Sequence, residues 1–211
     1  MKIVPKKNKA VYVIGAGGHA KVVVSTLQAA GYMVKALFDD DQSLWGKRIL
    51  GIPVCGPIDE LKDMKTVQAV AAIGDNKTRR RIVQCLPQAK WVTVIHPAAY
   101  VHASSVIGAG TVVFAGAVIQ PESHIGAHVI VNTGATIDHD CRLADYVQLC
   151  PGAHLAGNVG LNEGVFMGTG AVAVPGVKIG AWTVIGAGAV VIRDLPEKVV
   201  AVGVPARYAK G

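Results

Sequence analysis

Large side chains are scarce in this chain: Trp, Tyr and Phe together make 5% of 211 residues, although 51% are hydrophobic. A core without rings has to be packed from Val, Ile, Leu and Ala, which favours flat repeated layers over a few bulky anchors. Cysteine is limited to Cys55, Cys85, Cys141 and Cys150, with no CxxC pair. That excludes a disulfide-dense scaffold and points to a reducing compartment, the cytoplasm. No apolar run approaches the roughly 18 residues of a membrane span, and the stretch Val11 to Ile14 behind the basic start is too short for a signal sequence. A soluble protein without membrane insertion is expected.

Acidic residues are also few, 14 against 21 Lys and Arg, leaving a net charge of +7. The excess favours anionic partners, and nucleic acid is the first to test. The basic residues gather in two short runs, Lys6 to Lys9 (with Asn8) and Lys77 to Arg81 (with Thr78), and no aromatics are interleaved to stack on bases. Each run by itself reads as a solvated face, and small phosphorylated ligands suit the same charge better than nucleic acid.

What is abundant is periodic. From Ala10 to about Trp91, short β-branched runs alternate with helical patterns: strands at Val11 to Ile14, Met33 to Phe38 and Val67 to Ile73, helices at Gly18 to Ala30, Ile58 to Met64 and Asn76 to Leu86. This is an α/β domain of half-Rossmann size with a parallel sheet. Beyond Trp91 the period changes to six, and every sixth residue from Ile95 to Val191 is apolar without a break in register. Four residues after nearly every one stands a small or β-branched residue, such as Thr111, Ala117, Ser123, Ala135, Cys141 or Ala153.

A repeat of six describes a triangular solenoid in which each hexad supplies one face and a corner, and three hexads, 18 residues, make one coil. Seventeen hexads build between five and six coils, stacked at about 4.8 Å. The apolar residue points inward and the small one keeps the corner tight. Gly108, Gly126, Gly168, Gly180 and Gly186 are expected to supply unusual dihedrals at corners. Domains are placed at 1–92 and 93–211.

These hexads resemble those of the hexapeptide-repeat acyltransferases, whose domain is a left-handed parallel β-helix. The glycine-rich α/β domain in front makes the chain similar to the sialic acid O-acetyltransferases and the nucleotide-4-amino-sugar N-acetyltransferases, from Val11 to the close Gly203-Val204-Pro205-Ala206-Arg207. The resemblance implies a homotrimer with acetyl-CoA as co-substrate, bound between neighbouring β-helices, and no metal.

At the N-terminal end, Gly15-Ala16-Gly17-Gly18-His19-Ala20 follows the first strand as G-x-G-x-x-A, a turn whose glycines let the backbone approach a pyrophosphate. The same turn serves tight helix-on-strand packing. Asp39-Asp40-Asp41 ends the second strand, where an acidic residue would meet a ribose. A dinucleotide oxidoreductase is a rival, but there is room for only one mononucleotide half. The resemblance places the nucleotide-linked amino sugar here, at Gly17, Gly18, His19, Asp39, Asp40, Ile73 and Gly74.

Of seven histidines, His96, His102, His124 and His128 fall at outward or corner positions and read as surface, as does His154. His139 stands two residues after the inward Ile137, so its ring projects outward, and one coil to either side places Pro121 and Gly157 beside it. Glycine there leaves the ring open space. A histidine titrates near working pH and suits removal of a proton from an attacking amine. The resemblance makes His139 the general base and Asp140 the acidic neighbour that raises its basicity, where relatives usually carry Glu. It also matches Asn132 to a motif asparagine that orients a reactant. Gln148 corresponds to a position at the acetyl-CoA site that can hold a second histidine, and Thr169 and Ala187 to backbone CoA contacts. Cys141 is a competing acyl acceptor by chemistry, but its inward position speaks for a structural role.

Other functions stay open at this point. A γ-type carbonic anhydrase holds zinc on such a helix, yet His124, His128, His139 and His154 differ in hexad position and face. A non-catalytic trimeric assembly domain explains the hexads but leaves the glycine turn and His139-Asp140 idle. Within acetyl transfer, the acceptor is a UDP- or GDP-linked sugar amine or, alternatively, a sialic acid hydroxyl.

Overall fold

The apolar run Ala10–Ile14 forms β1, the centre of the first of two units in the computed structural model, which describes residues 10–64 and 67–208. One unit ends at Pro97 and the other begins at Ala98. The basic run Lys6 to Lys9 lies outside the described residues.

In the first unit, β1 is followed by α1 (Gly18–Ala29), β2 (Met33–Phe38), β3 (Arg48–Ile49), β4 (Ile52–Gly56), β5 (Val67–Ala71), α2 (Asn76–Cys85) and β6 (Ala89–Trp91). The sheet order is β3-β4-β2-β1-β5-β6, parallel except for the β3–β4 hairpin. Val11, Val13 and Ile14 are fully buried, as an unbroken apolar run requires of a strand covered on both faces. The chain moves outward from β1 to β2 on one side and to β5 on the other, so the switch point of the sheet lies between β1 and β5. Loops at the carboxyl ends of these strands form the crevice where such sheets bind ligands.

The expected elements are present with differences. The third strand ends at Ala71, and the short helix is a 3-10 turn, Ile58–Leu61. The β3–β4 hairpin was not anticipated, because its two-residue turn is Leu50-Gly51 and both residues have positive φ, 48° and 83°. Leucine is an unusual occupant of that conformation, so no turn signal marks it. The basic run on α2 is not a uniform solvated face either: Lys77 and Arg81 are exposed, but Arg79 is buried.

The second unit is a parallel β-helix of two-residue strands stacked in three sheets. Except at the last strand, Val200–Ala201, which pairs with Val184–Ile185, strands pair with those 18 residues away, as in Val118–Ile119, Thr136–Ile137, His154–Leu155, Val172–Ala173 and Val190–Val191. The second residue of each strand points inward, and Ile119, Ile137, Leu149, Ile179 and Ile185 are fully buried. Each such side chain contributes about 1.5–3 kcal/mol by leaving water. Polar residues at the small position are satisfied by the next coil. Thr111, Ser123 and Thr183 donate to the carbonyls of Gly126, Asp138 and Pro196 at 2.7–2.8 Å, and the Cys141 thiol donates to Ala156 O at 3.2 Å.

The corners follow a different rule from the one expected. Positive φ recurs at every sixth residue from Gly110 to Gly188, including Glu122, His128, Asp140, Tyr146, Asn158 and Trp182. Gly108, Gly126, Gly168, Gly180 and Gly186 are not in that column. They are glycine because the next coil passes too close: a Cβ on Gly108 would lie 2.5–2.6 Å from the backbone of Gly126 and Ala127, and one on Gly168 at 2.6 Å from Ala187 N. His128 also departs from its surface reading, since it is buried and stacks on Tyr146 with ring centroids 5.4 Å apart.

Candidate active site

Gly15 has φ of +100°, and a Cβ there would press on Ala72 O and the Ile73 side chain at 2.9 and 3.1 Å, so this glycine serves close packing of two loops. Gly17, Gly18 and Gly74 differ. An added Cβ on any of them meets nothing within 4 Å, which leaves bare backbone facing open space after β1 and β5. Gly17 is the N-cap of helix α1, with no side-chain cap bond and no acidic residue in the first turn, an arrangement hospitable to an anion. His19 follows directly. Burial, aided by the charge of Arg79, lowers its pKa to about 4, so the ring is neutral at physiological pH.

The aspartates at the end of β2 brace this crevice. Asp39 accepts the Ala16 N–H at 2.6 Å with one carboxylate oxygen and the Asp41 N–H at 2.9 Å with the other, while Asp40 accepts the Ile58 N–H at 3.0 Å. Each carboxylate has lone pairs to spare beyond these bonds. Ile73 and Gly74 are held by Arg79, whose guanidinium donates to both carbonyls at 2.9 and 3.2 Å.

In the β-helix, His139 is exposed and its Nδ1 lies 2.8 Å from Asp140 Oδ2. The contact depends on the backbone. Asp140 occupies the positive-φ column at 60°, which turns its carboxylate back toward the preceding ring. The hydrogen bond to Asp140 raises the His139 pKa against the opposing effect of burial, with lesser help from the charges of Asp138 and Asp140. With Asp140 ionised, Nδ1 is the donor and Nε2 keeps the lone pair. Asp138, which the sequence reading passed over, accepts the His139 N–H at 2.8 Å. Acidic residues on both sides of one exposed histidine were the available signal. One coil on stands Gly157, and a Cβ there would come within 2.6 Å of both Cε1 and Nε2 of His139. One coil back, Pro121 O accepts the Asp140 N–H at 3.2 Å. This is a neutralisable base on a rigid corner, fixed at one nitrogen and open at the other.

Residues 10–86 match the family model of the PglD N-terminal domain. The structure is similar to that of perosamine N-acetyltransferase from Caulobacter crescentus, a histidine-to-asparagine mutant in complex with CoA and GDP-perosamine. Identity is 42%, the TM-score 0.90, and the match covers 96% of this chain and 98% of that one. The chain belongs to the nucleotide-amino-sugar N-acetyltransferases. The acetyltransferase domain of PglB from Neisseria gonorrhoeae, in complex with acetyl coenzyme A, gives 39% identity and a TM-score of 0.90 over 96% of this chain and 100% of that one. UDP-N-acetylbacillosamine N-acetyltransferase of Bacillus subtilis is 41% identical over 109 residues, 49% of this chain and 50% of that enzyme. The chain spans a fifth to a half of the length of the curated relatives it matches. The fold class is that of these acetyltransferases, a half-Rossmann domain followed by a left-handed parallel β-helix.

The remaining family positions are spread over the helix. Asn132 is half-buried, and its Oδ1 accepts the N–H of Thr133 at 2.9 Å; it shares no hydrogen bond with His139, which follows a strand of a different sheet. Gln148 is buried, its Nε2 donating to Cys150 Sγ at 3.6 Å and its Oε1 without a partner. Thr169 and Ala187 are exposed and stacked in consecutive coils, with the Gly188 N–H donating to Thr169 O at 2.8 Å. Burial raises the pKa of the Cys141 thiol, the opposite of nucleophile activation. His154 bonds Thr136 Oγ1 at 2.9 Å, on the face before His139. Among the described residues, no three His, Cys, Asp or Glu side chains gather as a metal site requires.

Proposed function

We propose that this chain transfers the acetyl group of acetyl-CoA to the 4-amino group of a UDP- or GDP-linked amino-deoxy sugar, with His139 as general base. The observation that carries the reading is the exposed His139 ring, anchored through Nδ1 to Asp140 with Nε2 lying over Gly157. The amine nitrogen bonds to the thioester carbonyl carbon while Nε2 takes its proton. A backbone N–H stabilises the oxyanion, the C–S bond then breaks, and the proton leaves on the CoA sulfur. Asp140 supports the imidazolium, and Asn132 orients a reactant.

Residues 1–92 bind the nucleotide sugar, through Gly17, Gly18, His19, Asp39, Asp40, Ile73 and Gly74, and residues 93–211 carry acetyl transfer. The open backbone at three of these glycines supports that division. Gln148, Thr169 and Ala187 contact CoA; the exposed stacked backbone at Thr169 and Ala187 suits a pantetheine arm. The enzyme works as a cytoplasmic homotrimer. Four free thiols fit a reducing compartment, and exposed Val184, Val200, Val202 and Val204 fit a subunit interface. Among the described residues no helix is long and apolar enough to cross a membrane.

The test is thiol release from acetyl-CoA with a panel of UDP- and GDP-linked 4-amino-4,6-dideoxy sugars. One sugar is expected to support turnover that falls about 10²- to 10⁴-fold in His139→Ala. No release across the panel, with CoA bound, overturns the amine acceptor and leaves a sugar hydroxyl.

A further inference from the structure

Arg79 has the smallest exposure of any charged side chain among the described residues, 1%, and it stands at the crevice of the first unit. Burying a guanidinium is costly unless its donors are matched, and these are: Nη1 donates to Ile73 O at 2.9 Å and Gly74 O at 3.2 Å, and Nη2 to Asn76 Oδ1 at 2.9 Å. The two carbonyls belong to the loop that leaves β5, where Gly74 presents bare backbone to open space. These three acceptors are neutral oxygens, and the Asp75 carboxylate, which caps α2, also feels the Arg79 charge. That charge reaches the opposite lip as well, where it helps keep His19 neutral.

We propose that Arg79 is the positioning residue of the nucleotide-sugar crevice: it fixes the Ile73–Gly74 loop opposite the Gly17–Gly18 turn. It acts through the loop rather than by touching the reacting atoms. The inference rests on the nucleotide-sugar reading above. Lysine is no substitute, because one ammonium cannot fork across two carbonyls and an amide with the geometry of a guanidinium.

The experiment compares Arg79→Gln, Arg79→Lys and Asn76→Ala with the parent protein, reading melting temperature, kcat, KM for the accepted nucleotide sugar and for acetyl-CoA, and calorimetric affinity for UDP and GDP. In Arg79→Gln, the nucleotide-sugar KM and the nucleotide Kd rise about 10- to 100-fold, as expected for lost hydrogen bonds to a charged group, while kcat and the acetyl-CoA KM change less than threefold. Arg79→Lys shows the same split in weaker form, and Asn76→Ala weaker still. Should Arg79→Gln fail to fold, the same KM split in Arg79→Lys decides the matter. A lower melting temperature with nucleotide-sugar KM and nucleotide Kd within twofold of the parent overturns the inference and makes Arg79 a structural brace. If the parent binds neither UDP nor GDP, the nucleotide-sugar reading itself falls and takes this inference with it.

Discussion

Gly157 offers a way to displace the proposed base without touching it. Its φ lies outside the left-handed region, so alanine is compatible with the backbone, and the atoms in the way of a new Cβ are those of the His139 ring, with Cε1 and Nε2 at 2.6 Å and Nδ1 at 3.2 Å. To reach an ordinary carbon contact of about 3.5 Å, the ring must retreat by about 0.9 Å. It has room to do so, because the side chain is exposed. The cost to folding is therefore small. The lower chain entropy of the unfolded alanine variant offsets it, contributing about 0.4–1 kcal/mol, so the melting temperature should stay level or rise by a few degrees, about 2–4 °C. Catalysis is less forgiving, since a misplacement of about 1 Å can lower a rate about 10²-fold. Gly157→Ala should thus lower kcat about 10- to 100-fold in a thiol-release assay at saturating substrates, with the melting curve as control. A kcat within twofold of the parent would refute the placement of His139 at the reacting atoms.

Three further outcomes are expected. The base works unprotonated, and its pKa is raised, so kcat/KM should fall as pH drops through an acid limb above 6.5; Asp140→Asn removes the largest cause and should move that limb to lower pH, with about a tenfold loss of rate at neutral pH. A pH profile of both proteins checks this, and an unmoved limb would sink the role of Asp140. Cys141→Ser should keep kcat within about twofold, because a hydroxyl can donate to Ala156 O as Ser123 and Thr183 do to their carbonyls, whereas loss of activity would point to a covalent acetyl-enzyme. Leu149→Ala, at a fully buried inward position, should destabilise the protein by about 2–5 kcal/mol in denaturant unfolding.

The hexad register carried much of the way to the site. Counting in eighteens from His139 places Gly157 and Pro121 beside it, and the structure puts Gly157 under the ring and Pro121 O on the Asp140 amide. That worked because a solenoid converts sequence separation into spatial adjacency with no long-range folding to resolve. The corners are less legible. Glycine marks both a positive φ and a close approach of backbones, and residue identity alone does not separate the two; at Gly108 and Gly126 the cause is close approach, not dihedral angle. The α/β unit was harder, since its neighbours are set by strand order. Nothing in Lys77-Thr78-Arg79-Arg80-Arg81 distinguishes Arg79 from the residues around it.

By itself, the sequence determined the repeat, the inward and outward positions along it, the mononucleotide-sized domain in front and the histidine to watch. Tertiary structure decided whether neighbouring side chains meet or diverge. Asp140 reaches the His139 ring because its backbone adopts the left-handed conformation of its column, and Arg79 turns inward because the carbonyls leaving β5 lie within reach. Both are matters of dihedral angle and strand order, which depend on how the whole coil and the whole sheet close, and no local pattern of residues encodes them.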